Sequence, residues 1–291
     1  MNSNIIYLMG AGRSGTTILE VLLHNSPGIS AAGELTKVLQ YGFLNGTTCS
    51  CGHSVDTCEV WRRVKESSLS DIHVKVKYLK QLDYHSGLIK AVLNSHSKDK
   101  WEKYLETNRL LFSTVEDASP TPHIVDASKY AARALNLHRA FPKKVKVICL
   151  LRNPMGLIHS FTKKDVDGQP PKSLFSTMLY YFVVTISIRV AIARLKEDVL
   201  VVRYEDLINS PLNVLTQIEQ FIDVDLSISK SKVAKQSKLN TGHILTGNRL
   251  RQNKELTFKQ GLAINFKPNK TQRIVIKCMA LWSTLLGFNK F

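Results

Sequence analysis

Gly10-Ala-Gly-Arg-Ser-Gly-Thr-Thr17 brings three glycines, one guanidinium and three hydroxyls together near the start of the chain. Glycines let the backbone turn so that its amides converge on one anion, and a helix starting just beyond adds the partial positive charge of its N-terminus. The segment has the length of the triphosphatase loop Gly-x4-Gly-Lys-[Ser/Thr], but Thr16 stands where that loop requires Lys, and the cation sits inside the loop at Arg13. A triphosphatase also needs a carboxylate for magnesium at a strand end. Asp126, after Ile124-Val125, is the nearest candidate. Arg152-Asn-Pro-Met-Gly-Leu-Ile-His-Ser160, which follows the apolar run Val145–Leu151, is a candidate second site, the alternative being an Arg paired with a nearby carboxylate and a helix-facing Ser. An Arg at the carboxyl end of a buried parallel strand lies where open α/β sheets bind their ligands. A third strand-like run, Val199–Val202, leads into Arg203-Tyr204-Glu205-Asp206-Leu207, where Tyr204 either offers an aromatic face or closes the edge of the core.

These elements together resemble the sulfotransferase superfamily. Its 5′-phosphosulfate loop has the form Gly-x-x-[Lys/Arg]-[Ser/Thr]-Gly-Thr-Thr, and its 3′-phosphate motif is an apolar strand, Arg, Asp or Asn, often Pro, and a Ser eight residues after the Arg. The chain matches both. The resemblance implies that Gly12, Arg13, Ser14, Gly15, Thr16 and Thr17 hold the 5′-phosphate and sulfate, that Arg152 and Ser160 hold the 3′-phosphate, and that Tyr204 borders the adenine. A segment Gly242-His243-x3-Gly247-Asn248-Arg249-x-Arg251 is similar to the family's C-terminal His-x3-Gly-Asn-x-x-Arg, which implies that Arg249 or Arg251 closes on the 3′-phosphate. The Gly33-Glu34 pair resembles a branch that includes the tyrosylprotein enzymes and implies Glu34 as the base. A carboxylate is a weak base, so its surroundings are expected to raise its pKa. Asp126-Ala-Ser-Lys129 resembles bacterial-type members and implies that Lys129, with Arg13 as the leaving-group cation, assists the leaving group or orients the acceptor. The activity implied is transfer of a sulfuryl group from 3′-phosphoadenosine 5′-phosphosulfate (PAPS) to an acceptor hydroxyl of a carbohydrate, lipid or other small metabolite, with no metal required. The alternatives are a P-loop kinase or triphosphatase, against which Thr16 counts, and a non-catalytic polyanion binder.

The elements needed to position these residues are an α/β domain: a three-layer sandwich with a central parallel sheet, P-loop-like. Asn4–Met9 reads as a buried strand, and Thr16–His24 as a helix with Ile18, Leu19, Leu22 and Leu23 at helical spacing. A second helix is expected from Gly33 or Glu34 to about Phe43. Strands are expected at His123–Val125, Val145–Leu151 and Val199–Val202. Helices should follow at Ala131–Ala140, Met155–Lys164 and Pro211–Phe221. Residues 1–291 read as a single domain with a mainly helical insertion at about 61–118. The insertion and the loop Val166–Lys172 are expected to shape the acceptor pocket, with His73, Lys75, Lys77, Tyr78, His85, Lys90, Trp101 and Tyr104 as its candidate groups. Lys238–Lys259 reads as a polar, basic loop and Asn269–Leu286 as a closing helix.

Forty Lys and Arg against 23 Asp and Glu give a net charge of +17, which favours an anionic partner. No zinc finger or RNA-recognition signature accompanies it, so nucleic acid is not expected. No targeting segment is visible and Met178–Ala193 is short and polar for a span, so it is read as a buried core helix; no membrane insertion and a cytoplasmic location are expected. Of five cysteines, Cys149 and Cys278 sit in apolar surroundings and read as buried. Cys49, Cys51 and Cys58 cluster with His53. The spacing lacks that of a zinc finger, so a loop of reduced thiols or one local disulfide is expected, with a metal site as the alternative.

Overall fold

The computed structural model describes residues 2–67, 71–162, 171–261 and 266–290. Five strands, β1 (Asn4–Gly10), β2 (Ile29–Ala31), β3 (His123–Lys129), β4 (Val145–Leu151) and β5 (Val199–Arg203), form one sheet in the order β2-β3-β1-β4-β5. Every pairing in it is parallel. Alternate residues of a strand face opposite sides, and here both sides are covered. Ile5, Tyr7 and Met9 of β1 and Val145, Val147 and Cys149 of β4 pack with Ala134 and Leu137 of the helix Ala131–Ala140 and with Val184 and Ile188 of the helix Leu174–Leu195. Ile6, Leu8, Ile148 and Leu150 pack with Leu19 and Leu22 of the helix Thr16–His24 and with Val214 and Ile218 of the helix Pro211–Ile222. The two covered faces explain why these strands read as almost unbroken apolar runs.

β3 runs four residues past Val125, to Lys129. Asp126 and Ser128 hid this extension, because polar residues in a central strand are costly unless paired. Here Asp126 is fully satisfied. Its Oδ2 accepts from Arg133 Nε at 2.7 Å, and its Oδ1 accepts from the Ser128 amide at 3.0 Å and the Ser128 hydroxyl at 2.5 Å. Arg133 Nη1 reaches Asp83 Oδ2 at 2.5 Å, and Tyr104 donates to Asp83 Oδ1 at 2.8 Å. Asp126 is therefore part of a buried ionic network and is not placed to hold magnesium. Against β1, Tyr7 pairs with Asp126 but Met9 with Lys129, so β3 carries one extra residue where it delivers Lys129. Bulges of this kind re-aim side chains beside active sites.

The described part of the 61–118 region is mainly helical, including Ile72–Asp83 and Lys98–Ala118. It packs on the main core through Trp61, Val64, Phe112 and Val115. Three expectations change. The helix over Met178–Ala193 spans Leu174–Leu195 and buries one face only; Phe175, Leu179, Val183 and Ile186 are exposed, which an all-round apolar sequence cannot reveal. Lys238–Lys259 contains an antiparallel hairpin, β6 (Lys238–Asn240) with β7 (Glu255–Thr257). Cys278 is exposed on the closing helix Lys270–Leu285, while Cys149 is buried.

Candidate active site

The carboxyl ends of β1, β3, β4 and β5 open into a single cavity of about 470 Å³. The end of β1, the loop after it and the start of the helix Thr16–His24 give it Gly10, Gly12, Arg13, Gly15, Thr16 and Thr17. β3 ends at Lys129, and Arg152 and Tyr204 follow β4 and β5 directly. Ser160 enters from the helix Pro154–Thr162, which Asn153 caps by accepting the Gly156 amide at 2.7 Å, with Pro154 in its first position. Ser14 is buried and does not face the cavity; its hydroxyl donates to the Ala11 carbonyl at 2.7 Å and so shapes the loop. Gly15 has φ +94°, and a Cβ there would lie 2.4 Å from the Tyr204 ring, so only glycine admits this turn against that tyrosine. Arg13 and Lys129 hold φ of +69° and +76°, a conformation that costs energy in residues with a Cβ and recurs where side chains are aimed at ligands.

Arg152 ties two of these strand ends together. Its Nη1 donates to the Arg13 carbonyl at 2.5 Å, and its guanidinium lies 4.3 Å from the centre of the Tyr204 ring. Its Nε is buried with no hydrogen-bond partner among the described residues. Burial disfavours the charge and lowers its pKa. A buried guanidinium with an open donor is suited to an incoming anion.

Glu34 is only 4% exposed and is paired with Lys129 and, at 2.5 Å, with Lys37. Its burial works to raise its pKa, but the two ammonium groups outweigh burial and hold the carboxyl below its usual value. This corrects the expectation that the environment raises it. Three contacts fix Glu34 and the turn after it. The Leu35 amide donates to Asp126 Oδ1 at 3.3 Å, the Thr36 amide donates to Ser128 Oγ at 3.1 Å, and Thr246 Oγ1 donates to the Glu34 carbonyl at 2.9 Å. The Asp126-Ala-Ser-Lys129 segment thus supplies one partner of Glu34 and anchors the backbone that carries it.

The remaining wall is aromatic: Tyr84, His85, Tyr130, Phe161 and Tyr180, joined by Lys172. Tyr84 stacks on Tyr130 with centroids 4.4 Å apart, and Tyr180 accepts from the Gly12 amide at 2.6 Å. Of the groups expected from the insertion, His85 reaches this cavity; Tyr104 is buried against Asp83, and His73, Lys75, Lys77, Tyr78, Lys90 and Trp101 do not line it. Most of the expected loop Val166–Lys172 lies outside the described residues. Lys37, Tyr130 and Tyr180 carried no motif, and only the fold brings them in. Gly247, Asn248 and Leu250 also line the cavity, but Arg251 does not; its Nη1 donates to the Thr48 carbonyl at 2.6 Å. The Arg249 side chain lies outside the described residues. Among the described lining residues Glu34 alone is acidic, and it is paired with two lysines.

A second buried acid lies beneath Glu34. Glu20 Oε1 accepts from the Gly33 amide at 2.6 Å, and burial raises the Glu20 pKa to about 8. The folded protein therefore binds this proton more tightly than the unfolded chain. The linked stability is complete below the ordinary glutamate pKa and is lost as pH rises towards 8, by a few kcal/mol at most. Glu20→Gln should flatten that loss in a urea-denaturation series from pH 6 to 9. An unchanged slope would show that Glu20 is ionised in the fold.

A sulfotransferase family profile matches residues 6–227. Among solved structures, the sulfotransferase domain from the curacin biosynthetic pathway is 17% identical, covers 96% of this chain and 98% of its own, and has a TM-score of 0.49. A mouse sulfotransferase complexed with PAP is 14% identical over 97% of this chain and 90% of its own, with a TM-score of 0.48. The sulfotransferase STF9 from Mycobacterium avium, 10% identical over 81% of this chain and 68% of its own, reaches 0.50 and shares the fold. No curated protein matches in sequence.

Proposed function

Since this chain belongs to the sulfotransferase family, we propose that it moves a sulfuryl group from PAPS to an acceptor hydroxyl, using the cavity at the ends of β1, β3, β4 and β5. The observation that carries the reading is the convergence of three parts: a glycine loop with Arg13, a buried Arg152 with an open donor, and a Glu34–Lys129 pair. A 3′,5′-bisphosphate donor needs two anion sites and a purine face. The loop amides with Thr16 and Thr17 suit the 5′-phosphosulfate, Arg152 and Ser160 suit the 3′-phosphate, and Tyr204 suits the adenine.

In the transfer, the acceptor oxygen forms a bond to sulfur as the bond from sulfur to the 5′-phosphate oxygen breaks. The acceptor proton passes to Glu34, and adenosine 3′,5′-bisphosphate leaves. Arg13 and Lys129 neutralise the charge that builds on the leaving oxygen. Lys129 and Lys37 serve two anions in turn. As the donor's sulfate draws on them, they stabilise the Glu34 carboxylate less, and its basicity rises at the moment a base is needed. In the free enzyme Glu34 is ionised throughout the neutral range, so the acid limb of kcat/KM should fall below the ordinary glutamate pKa of 4.5. A limb near neutrality would contradict this.

The aromatic wall of Tyr84, Tyr130 and Tyr180 offers ring faces, which suits the apolar face of a sugar or another cyclic acceptor. An acceptor screen with sulfur-labelled donor, sorted into carbohydrates, lipids, phenols and peptides, tests the reading. Label in a ring-bearing carbohydrate or small metabolite supports it, and label in peptides alone would remove that acceptor class. Arg152→Ala should weaken adenosine 3′,5′-bisphosphate by about 10²-fold, the loss of a charge-assisted contact and of the ring it covers, yet should weaken adenosine 5′-phosphosulfate far less. Equal losses for both would place Arg152 away from the 3′-phosphate.

A further inference from the structure

Three cysteines and a histidine converge beside the wall that holds Glu34. The thiols of Cys49, Cys51 and Cys58 and a ring nitrogen of His243 all lie within 4.8 Å of one another. The sequence offered His53 as the fourth group, but its side chain is exposed, and its carbonyl accepts the Cys49 amide at 2.9 Å. His243 arrives from a segment 185 residues beyond Cys58. No pair of these cysteines is bonded.

The surroundings fix both partners. His243 Nδ1 lies 3.3 Å from Cys58 Sγ, and its Nε2 lies 3.2 Å from Glu59 Oε1. A carboxylate on one ring nitrogen holds the proton there and turns the lone pair of the other towards the sulfurs, the usual support of a metal-bound imidazole. Trp61 Nε1 donates to the His243 carbonyl at 2.5 Å. Ser50, between the first two cysteines, donates its hydroxyl to the Gly242 carbonyl at 2.6 Å and accepts the Ile244 amide at 2.8 Å. The turn that brings Cys49 and Cys51 round closes with the Gly52 amide on the Cys49 carbonyl at 2.9 Å, and Gly52 has φ +88°. The Lys254 side chain lies against Gly52. It is a nearby positive charge for a centre of three thiolates.

We propose that Cys49, Cys51, Cys58 and His243 bind one structural Zn²⁺ ion. Thiolate and imidazole donors select zinc, and zinc–sulfur bonds of about 2.3 Å give tetrahedron edges of about 3.8 Å, which four donors this close can reach with small side-chain rotations. Binding releases the thiol protons, and all four positions are filled by protein, so the ion offers no open position to a substrate. Its effect is to clamp the 49–58 loop onto the segment that follows β6. Three residues after His243, Thr246 holds the Glu34 main chain, and Gly247 and Asn248 line the cavity. The site is separate from the sulfuryl-transfer chemistry, and its test does not depend on turnover.

The test is metal analysis of untagged protein purified without chelators. It should find about one zinc per chain, with a thiol-selective mercurial releasing it stoichiometrically. Cobalt exchange should give the visible bands of a tetrahedral ion together with thiolate charge-transfer absorption. His243→Ala and Cys58→Ser should cut the zinc content to near zero. If these variants fail to fold, the wild-type stoichiometry and cobalt spectrum still decide. Removal of zinc from the wild type should lower its Tm by about 5 °C or more, and zinc should restore it. Protein that is folded but metal-free after expression with added zinc would overturn the proposal. So would a mass lower by two hydrogens, showing a disulfide, or iron in place of zinc.

Discussion

Glu34→Gln is expected to lower kcat by about 10²–10⁴-fold while donor affinity holds or improves. Glutamine keeps the size and one acceptor oxygen but cannot take the acceptor proton. The substitution also removes a negative charge from a cavity that must accept an anion. Lys129 and Lys37, both paired with Glu34, then become free to serve the donor. Loss of turnover with equal or tighter donor binding separates a base from a residue that merely braces the site. A bracing residue would lose affinity with rate. Near-normal turnover in Glu34→Gln, measured at saturating donor, would remove it from the role.

The largest expected loss of stability is at Arg133. Its side chain is 0% exposed and bridges Asp126 and Asp83, which are equally buried. Arg133→Met keeps much of the volume but leaves two carboxylates without a cation, which should cost about 3–5 kcal/mol and lower Tm by roughly 10 °C. The sign of its pH dependence follows. Burial already raises the Asp83 pKa against the pull of Arg133. Without Arg133 the folded state takes up protons more readily than the unfolded chain, so the variant should regain stability as pH falls towards the carboxylate range. Urea denaturation at several pH values checks both points. A loss under about 1 kcal/mol, or one that is independent of pH, would mean that this network is not ionic in the fold. The variant should also lose activity, because Asp126 and Ser128 hold the Leu35 and Thr36 amides beside Glu34.

The parts of the fold legible in the sequence are those fixed by local physics. The apolar runs of β1 and β4 declare buried strands, and the glycine loop declares a tight, amide-lined turn. Arg152 could be placed because it follows a recognisable strand, whereas Ser160 and Tyr204 stand out only through the family resemblance. What was hidden depends on distant partners. β3 looked shorter because Asp126 is balanced by Arg133, in the first turn of the next helix, which is itself shared with the distant Asp83. The aromatic wall was hidden for the same reason: Tyr130 and Tyr180 come from separate elements, and neither has a local signature. His243 meets the cysteines across 185 residues. The basicity of Glu34 could not be read either, since Gly33-Glu34 gives no sign that Lys37 and Lys129 will both reach it. The apolar helix Leu174–Leu195 has hydrophobic residues on every face, so its sequence alone cannot tell the exposed side from the packed one.

Two anion sites in one cavity are expected to hold a 3′,5′-bisphosphate nucleotide without magnesium. Calorimetric titration of the wild-type protein in magnesium-free buffer, with adenosine 3′,5′-bisphosphate and ATP in parallel, tests it most directly. The expected result is tight binding of the bisphosphate, unchanged when magnesium is added, and much weaker binding of ATP. Failure to bind the bisphosphate, with clear magnesium-dependent binding of ATP, would contradict it.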